Sequence, residues 1–183
     1  FCKLLALPIK IFTIEKTVIM KKTAIAVMGT VALSGCATMQ PYQSATSGPR
    51  ATLNFISPTL EGNILSDTDL DLHIFEADKN CKKTAKGRLE LEPDKKSATT
   101  QIPSGKYVFL SIRYFQNCFG CGSRSGGEQF GFLPEDGKEY TIEFEDSAIN
   151  YSVRIHEGTA TQKTGGVKAV RWNSCSSLDQ DKI

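Results

Sequence analysis

The sequence lacks the motifs that identify most hydrolases and nucleotide-binding enzymes. It has no Gly-x-Ser-x-Gly elbow, no phosphate-binding glycine loop and no paired acidic motif. It has only two histidines, His73 and His156, and each alternates with apolar residues on a predicted strand. We expect each histidine to face solvent or a partner strand. The absences predict a protein that is not an enzyme and that requires no cofactor.

The sequence also lacks an apolar run long enough to cross a membrane. The longest candidate, residues 23–35, falls short of the roughly 20 apolar residues that a spanning helix needs. Lys21 and Lys22 precede it, and small residues followed by Cys36 end it. A basic start, a short apolar stretch and small residues are typical of an export signal over residues 20–35.

The end of this run, Leu33-Ser34-Gly35-Cys36, resembles the lipobox of bacterial lipoprotein signal peptides. The resemblance implies cleavage after Gly35 and lipidation of Cys36, which would hold the protein on a membrane. Since no Asp follows Cys36, it further implies the outer membrane, at its periplasmic face. A soluble secretory signal and a buried helix with an incidental Cys36 are the alternatives.

Residues 1–19 precede this signal and do not belong to the predicted domain. If translation starts at Met20, they are upstream leader sequence; the alternative is the extended start of a longer signal. Removal of residues 1–35 takes away five lysines and one glutamate. The remaining 17 basic and 19 acidic residues give a formal charge of −2, which argues against a nucleic-acid partner.

After Cys36, residues 36–50 contain Pro, Ser, Thr and Gly without apolar periodicity, which predicts a flexible tether with a reach of about 20 Å. From residue 51 to residue 175, apolar and polar residues alternate with period two, and turn signals separate the runs. Residues 106–115, KYVFLSIRYF, carry apolar side chains on both faces, which predicts a central strand covered on both sides. Residues 176–183 are predicted to be a polar tail.

The alternation predicts an all-β fold, an antiparallel two-sheet sandwich of about seven to eight strands. The segments IPSGKYVFLSIRY and FLPEDGKEYTIEFE resemble those of transthyretin-like (prealbumin-like) domains in small bacterial lipoproteins. The resemblance implies a small sandwich used for binding or assembly. It supplies no catalytic residues.

Four cysteines remain beyond the predicted lipidation site: Cys81, Cys118, Cys121 and Cys175. An even number in an oxidising compartment predicts disulfides. If every connection between strands reverses direction, Cys81 lies at the opposite end of the domain from residues 118–121, and Cys175 can reach their end. We therefore expect Cys175 to pair within residues 118–121, which leaves Cys81 without an evident partner.

The Cys118-x-x-Cys121 spacing also supports two alternatives, a zinc site and a thiol-redox pair. Zinc would require Cys81 with Cys175, or His73 with His156, as further ligands, and neither pair has a short second spacing. A redox pair needs a helix N-terminus, whereas glycine and serine follow Cys121 here. We expect structural disulfides and no metal.

Asp67, Asp69 and Asp71 suggest a calcium ligand set, but the glycine and glutamate of an EF-hand loop are missing. At alternating spacing these carboxylates and His73 share one strand face, which we expect to be solvated.

Residues 114–132 are predicted to be a long, glycine-rich loop that could bind a partner through Phe119 or Arg124. The alternative is that its aromatic residues are strand-end core residues. We therefore expect a non-enzymatic lipoprotein that is anchored in the membrane and binds or scaffolds an envelope protein. A metal-binding or thiol-redox protein that uses Cys118 and Cys121 is the alternative.

Overall fold

The structure, a computed structural model, describes residues 39–60, 66–120, 122–147 and 150–183. Most of the segments in which apolar and polar residues alternate form β-strands. Within these ranges there are ten β-strands and two short 3-10 helices, and no α-helix. The all-β prediction is confirmed, with ten strands in place of the expected seven to eight.

The strands form two five-stranded sheets packed as a sandwich. Sheet I has the spatial order β4 (Ser97–Pro103), β1 (Arg50–Ile56), β7 (Glu139–Asp146), β8 (Tyr151–Gly158) and β9 (Lys163–Gly166). Sheet II has the order β10 (Val170–Arg171), β6 (Gly122–Phe132), β5 (Val108–Cys118), β2 (Ser66–Ala77) and β3 (Lys83–Leu91).

Neighbouring strands are antiparallel with one exception, the parallel pair of β1 and β7. Five strands separate these two along the chain, so no tight turn links them, and a longer crossover allows them to run in the same direction. We call the end of the sandwich where β5 turns into β6 the hairpin end. The opposite end, where β2 turns into β3, is the turn end.

The core lies between the two sheets and contains the apolar residues that alternate along the strands. Burying one such side chain fully contributes about 1.5–3 kcal/mol. The fully buried members include Leu53, Phe55, Leu70, Leu72, Ile74, Leu110, Ile142 and Phe144.

The outer face of β5 is covered by the C-terminal segment, as the double burial of this strand requires. Phe109 is fully buried there, and the Trp172 ring meets it edge-on at a centroid distance of 6.0 Å. The predicted polar tail is part of this cover, because Ile183 is buried and the Tyr107 N–H donates to the Lys182 carbonyl at 2.7 Å.

A disulfide between Cys81 and Cys175 fastens this segment, with the two Cα atoms 5.7 Å apart. Our expectation that Cys175 pairs within residues 118–121 is therefore wrong. Strand β10 has only two residues and pairs with Phe130 and Gly131, next to the end of β6 that is remote from the hairpin. The chain thus remains near the turn end, where Cys81 lies.

Residues 40–49, which we call the strap, differ from the flexible tether predicted over residues 36–50. The Arg88 N–H donates to the Gln40 carbonyl at 3.0 Å, and the Tyr42 N–H donates to the Arg88 carbonyl at 2.9 Å. The Ala45 N–H then donates to the Gln101 carbonyl at 2.9 Å. Because Arg88 belongs to β3 and Gln101 to β4, the strap links the adjacent edges of the two sheets.

The strap depends on a glycine in β3. Gly87 has a φ of +142°, and a Cβ there would lie 2.7 Å from the Tyr42 nitrogen, so a side chain would exclude the strap. Gly87 also lies at the bulge where the β2–β3 register shifts, between Ile74 and Phe75. Burial, with a smaller contribution from Glu76, raises the pKa of Tyr42 to about 12, which is consistent with a packed strap.

We predict that replacing Cys81 and Cys175 together by serine lowers the free energy of unfolding by about 2–5 kcal/mol. The bond closes a sequence separation of 94 residues and holds the outer cover of β5. Urea denaturation monitored by Trp172 fluorescence measures the effect. Untreated wild-type protein is the control, and unchanged stability of the double variant would contradict this role.

Candidate functional site at the hairpin end

The segment 114–132, predicted as a long loop, is a β-hairpin. Strand β5 continues to Cys118, and its residues pair with β6 from Gly122 to Phe132. Strand β2 pairs with β5 along its other side, from Ser66 to Glu76. The first half of β6 is largely exposed on both faces, which is why it carries no apolar alternation in the sequence.

Phe119 lies in the tight turn of this hairpin and is 86% exposed. Within the described ranges, the only other large hydrophobic residue classed as exposed is Phe115, at 38%. Phe119 was one of our two predicted contact residues, and its side chain is free to meet a partner. An aromatic ring held in water on a tight turn has a large apolar area available for binding.

Arg124, the second predicted contact residue, is not at the tip. Its Nη2 donates to Asp146 Oδ1 at 3.1 Å and to the Ser147 carbonyl at 2.9 Å. The Tyr114 hydroxyl donates to the other carboxylate oxygen of Asp146 at 2.6 Å. Arg124 and Tyr114 belong to sheet II and Asp146 to sheet I, so this network ties the base of the hairpin to the opposite sheet.

Burial raises the pKa of Tyr114, and the hydrogen bond to Asp146 raises it further. The phenol therefore stays protonated at neutral pH and acts as a donor to the carboxylate. The Asp146 N–H in turn donates to Thr59 Oγ1 at 2.8 Å. Sequence reasoning missed Tyr114 and Asp146 as partners because they are 32 residues apart and lie on different sheets.

A second tie lies further along β6. The Tyr151 hydroxyl donates to the Gly127 carbonyl at 3.0 Å and accepts from the Gly127 N–H at 3.1 Å. A Cβ on the neighbouring Gly126 would lie 2.9 Å from Tyr151 Cζ and still closer to Cε1, so the ring occupies the space that a side chain would need. The glycines of β6 therefore accommodate a tyrosine from sheet I.

A cavity of about 480 Å³ opens between the sheets at the hairpin end. Tyr114, Gln116, Arg124 and Asp146 contribute its polar lining, and Leu60 contributes apolar surface. A larger cleft of about 540 Å³ lies beside the strap, between β3 and β4. The hairpin-end cavity is the stronger candidate site, because it gathers side chains from both sheets and adjoins the hairpin that carries Phe119.

Three of the four predicted disulfide cysteines lie within the described residues, and all three are disulfide-bonded. Cys118 forms a bridge separate from that of Cys81 and Cys175. Cys121 and the predicted lipidation site Cys36 lie outside the described residues. No group of three or more metal-ligating side chains is found in the part of the chain that the structure describes.

The aspartate face of β2 is only partly solvated. Asp67 and Asp69 are exposed as expected, but Asp71 and His73 are buried, which corrects the prediction for these two. Arg88 Nη1 donates to both Asp71 oxygens, at 3.1 and 3.2 Å. Burial opposes ionisation of Asp71, but the nearby His73 and Arg88 outweigh it and lower the pKa of the carboxyl.

His156 is also buried, and its Nε2 lies 3.2 Å from the Thr159 carbonyl oxygen. The two histidines are therefore enclosed by the domain rather than solvent-facing. His73 Nε2 lies 3.7 Å from Asp71 Oδ2. His73 belongs to β2 of sheet II and His156 to β8 of sheet I, so the two histidines lie on different sheets.

Compared with known protein families and with curated proteins, the chain matches none. The described residues include no helix of the length and apolarity needed to span a bilayer.

We predict that Gly126→Ala lowers the free energy of unfolding by about 1–3 kcal/mol, because the added methyl group overlaps the Tyr151 ring. Gly165→Ala in β9 is the matched control, since a Cβ there has no atom within 4 Å. Urea denaturation of both variants measures the difference. Equal effects at the two positions would contradict the proposed tie between β6 and Tyr151.

Proposed function

We propose that this protein is a lipoprotein of the bacterial cell envelope, anchored through Cys36, that binds or scaffolds another envelope protein without catalysing a reaction. The proposed location is the outer membrane, at its periplasmic face. The observation that carries the binding role is Phe119, an aromatic side chain that is 86% exposed on the turn of a hairpin. The lipobox-like segment ending at Cys36 supports the anchor.

The hairpin is a suitable binding element because its base is fixed. Tyr114 and Arg124 hold it through Asp146, and Tyr151 holds β6 through Gly127. An aromatic residue on a preorganised support binds with a smaller loss of conformational entropy than one on an unrestrained loop. Aromatic residues are also enriched among the side chains that dominate protein–protein binding energy.

The alternative is a thiol-redox or metal-binding function at Cys118 and Cys121. The observation in its favour is that Cys118, in a disulfide, ends the β5 strand next to the exposed tip. In that case the bridge would be reduced and re-formed in use, or its thiols would bind zinc.

We predict that the protein extracted from membranes begins at Cys36 and carries acyl chains. Each buried methylene contributes about 0.8 kcal/mol, so two or three chains hold the protein on the bilayer. Intact mass under native and denaturing conditions, without reductant, measures the acylation and the number of free thiols. An unacylated chain would contradict the anchor, and free thiols or a zinc increment would favour the alternative.

We further predict that a photoreactive phenylalanine analogue at position 119 cross-links one envelope protein in intact cells. The same analogue at Thr164, on the exposed strand β9, is the control and should not capture that protein. The captured protein should also co-purify with the unmodified chain, and Phe119→Ser should weaken that association by about tenfold or more. Equal capture from positions 119 and 164 would contradict a binding role for the tip.

A further inference from the structure

Strand β6 has a free edge next to the turn that carries Phe119. Strand β5 lies along one side of β6 over its whole length, without a break in register. On the other side, β10 pairs only with Phe130 and Gly131. In the part of the chain that the structure describes, no strand lies beside residues 122–129 on that side. Sheet II therefore has an empty strand position at the hairpin end.

The backbone of this edge directs hydrogen-bonding groups away from the sheet. In an antiparallel ladder, alternate residues turn both backbone groups towards one neighbouring strand or the other. Gly127 turns both groups away from β5, because both bond the Tyr151 hydroxyl. Ser125 and Ser123 have the same alternation and therefore also turn their N–H and C=O groups outward. Both serines are exposed, and no turn, strap or side-chain bond from a described residue reaches these backbone groups.

The free edge of β6 lacks the features that protect the other sheet edges. Natural edge strands are commonly blocked by lysine, by a bulge or by a covering segment. The strap bonds to β3 and β4, and β9 begins with Lys163 beside a register shift in β8. Residues 122–126 are Gly-Ser-Arg-Ser-Gly, and the Arg124 side chain is held by Asp146 of the opposite sheet. The small side chains on this edge leave room for another strand.

We propose that the envelope protein bound at Phe119 adds an extended segment to β6 as a further strand of sheet II. This inference rests on the proposed function and specifies its binding mode. The backbone of the segment bonds the outward groups of Ser123 and Ser125. Ser123 is one residue from the Cys118–Gly122 pair that closes the turn, so a strand bonded there lies beside Phe119. In strand addition, backbone bonds supply affinity and side-chain contacts such as that of Phe119 supply specificity.

A second copy of this chain fits the edge less well than a segment of a different protein. Antiparallel pairing of two β6 edges that uses all the outward groups places Ser123 opposite Ser125 of the other copy. The same register places the two Arg124 side chains directly opposite each other. Like charges in that position on neighbouring strands are destabilising. The occupant is therefore an extended segment of the envelope protein.

Proline at position 125 tests the backbone bond directly. Ser125→Pro removes the outward N–H and places a ring where the added strand lies, but it removes no bond between β6 and β5. The residue before a proline prefers an extended conformation, which Arg124 has within β6. Ser125→Ala is the matched control, since it removes only the hydroxyl. Ser97→Pro, at the start of the edge strand β4, controls for a proline on a remote sheet edge.

The full chain with the photoreactive phenylalanine analogue at position 119 is expressed in intact cells, with and without each substitution. Ser125→Pro should lower capture and co-purification of the envelope protein by about tenfold or more, because a backbone group of the added strand loses its partner. Ser125→Ala and Ser97→Pro should retain capture within about twofold. Undiminished capture by the Ser125→Pro protein would overturn strand addition and leave the binding role of Phe119 in place. Absence of capture by the unsubstituted chain would contradict that role and strand addition together.

Two further measurements test the premises of the proposal. Urea denaturation should give the same free energy of unfolding for Ser125→Pro and Ser123→Pro as for the unsubstituted chain, within the error of the method. A loss of stability in both variants would show that these N–H groups bond within the domain and would overturn the proposal. Sedimentation velocity should show that the purified chain does not pair through β6. A dimer that Ser125→Pro dissociates would overturn the choice of a different protein as the occupant.

Discussion

The first five residues of β5, Val108–Ile112, are all buried, so this strand requires a cover on each of its two faces. Sheet I covers the inner face, and the C-terminal segment covers the outer face with Trp172 and Ile183. A short segment of two 3-10 turns has little regular structure of its own to hold it in place. The Cys81–Cys175 disulfide supplies that restraint and ties the outer cover to the turn between β2 and β3.

The sides of the sandwich also need cover, because two open sheets leave edge strands with unpaired backbone groups. The strap bonds to β3 and β4 on one side, and Tyr151 bonds both backbone groups of Gly127 on the other. Neither the strap nor Tyr151 belongs to a strand of the sheet whose edge it covers. Both rely on a glycine that leaves room, Gly87 for the strap and Gly126 for the tyrosine ring.

Strand alternation and the double burial of β5 were predictable, because both depend on local periodicity in the sequence. The strap was not, since its bonds use backbone groups of Gln40 and Tyr42, which leave no side-chain pattern. The first half of β6 was missed for a related reason: it pairs along its backbone but buries no apolar face. The pairing of Cys175 was wrong because counting strand reversals assumes strands that cross the whole sandwich, and β10 does not.

The polar groups at the hairpin end explain why Phe119, rather than Arg124, is the contact residue of the proposed function. Each oxygen of Asp146 accepts a hydrogen bond, one from Tyr114 and the other from Arg124. Breaking the Arg124 bond to reach a partner would leave the carboxylate, whose side chain is only 15% exposed, without its counter-charge, which is costly in a low-dielectric site. Arg124 therefore positions the hairpin. Phe119 gains favourable free energy from leaving water and breaks no existing contact, so a partner that buries its ring adds stability without loosening the support beneath it.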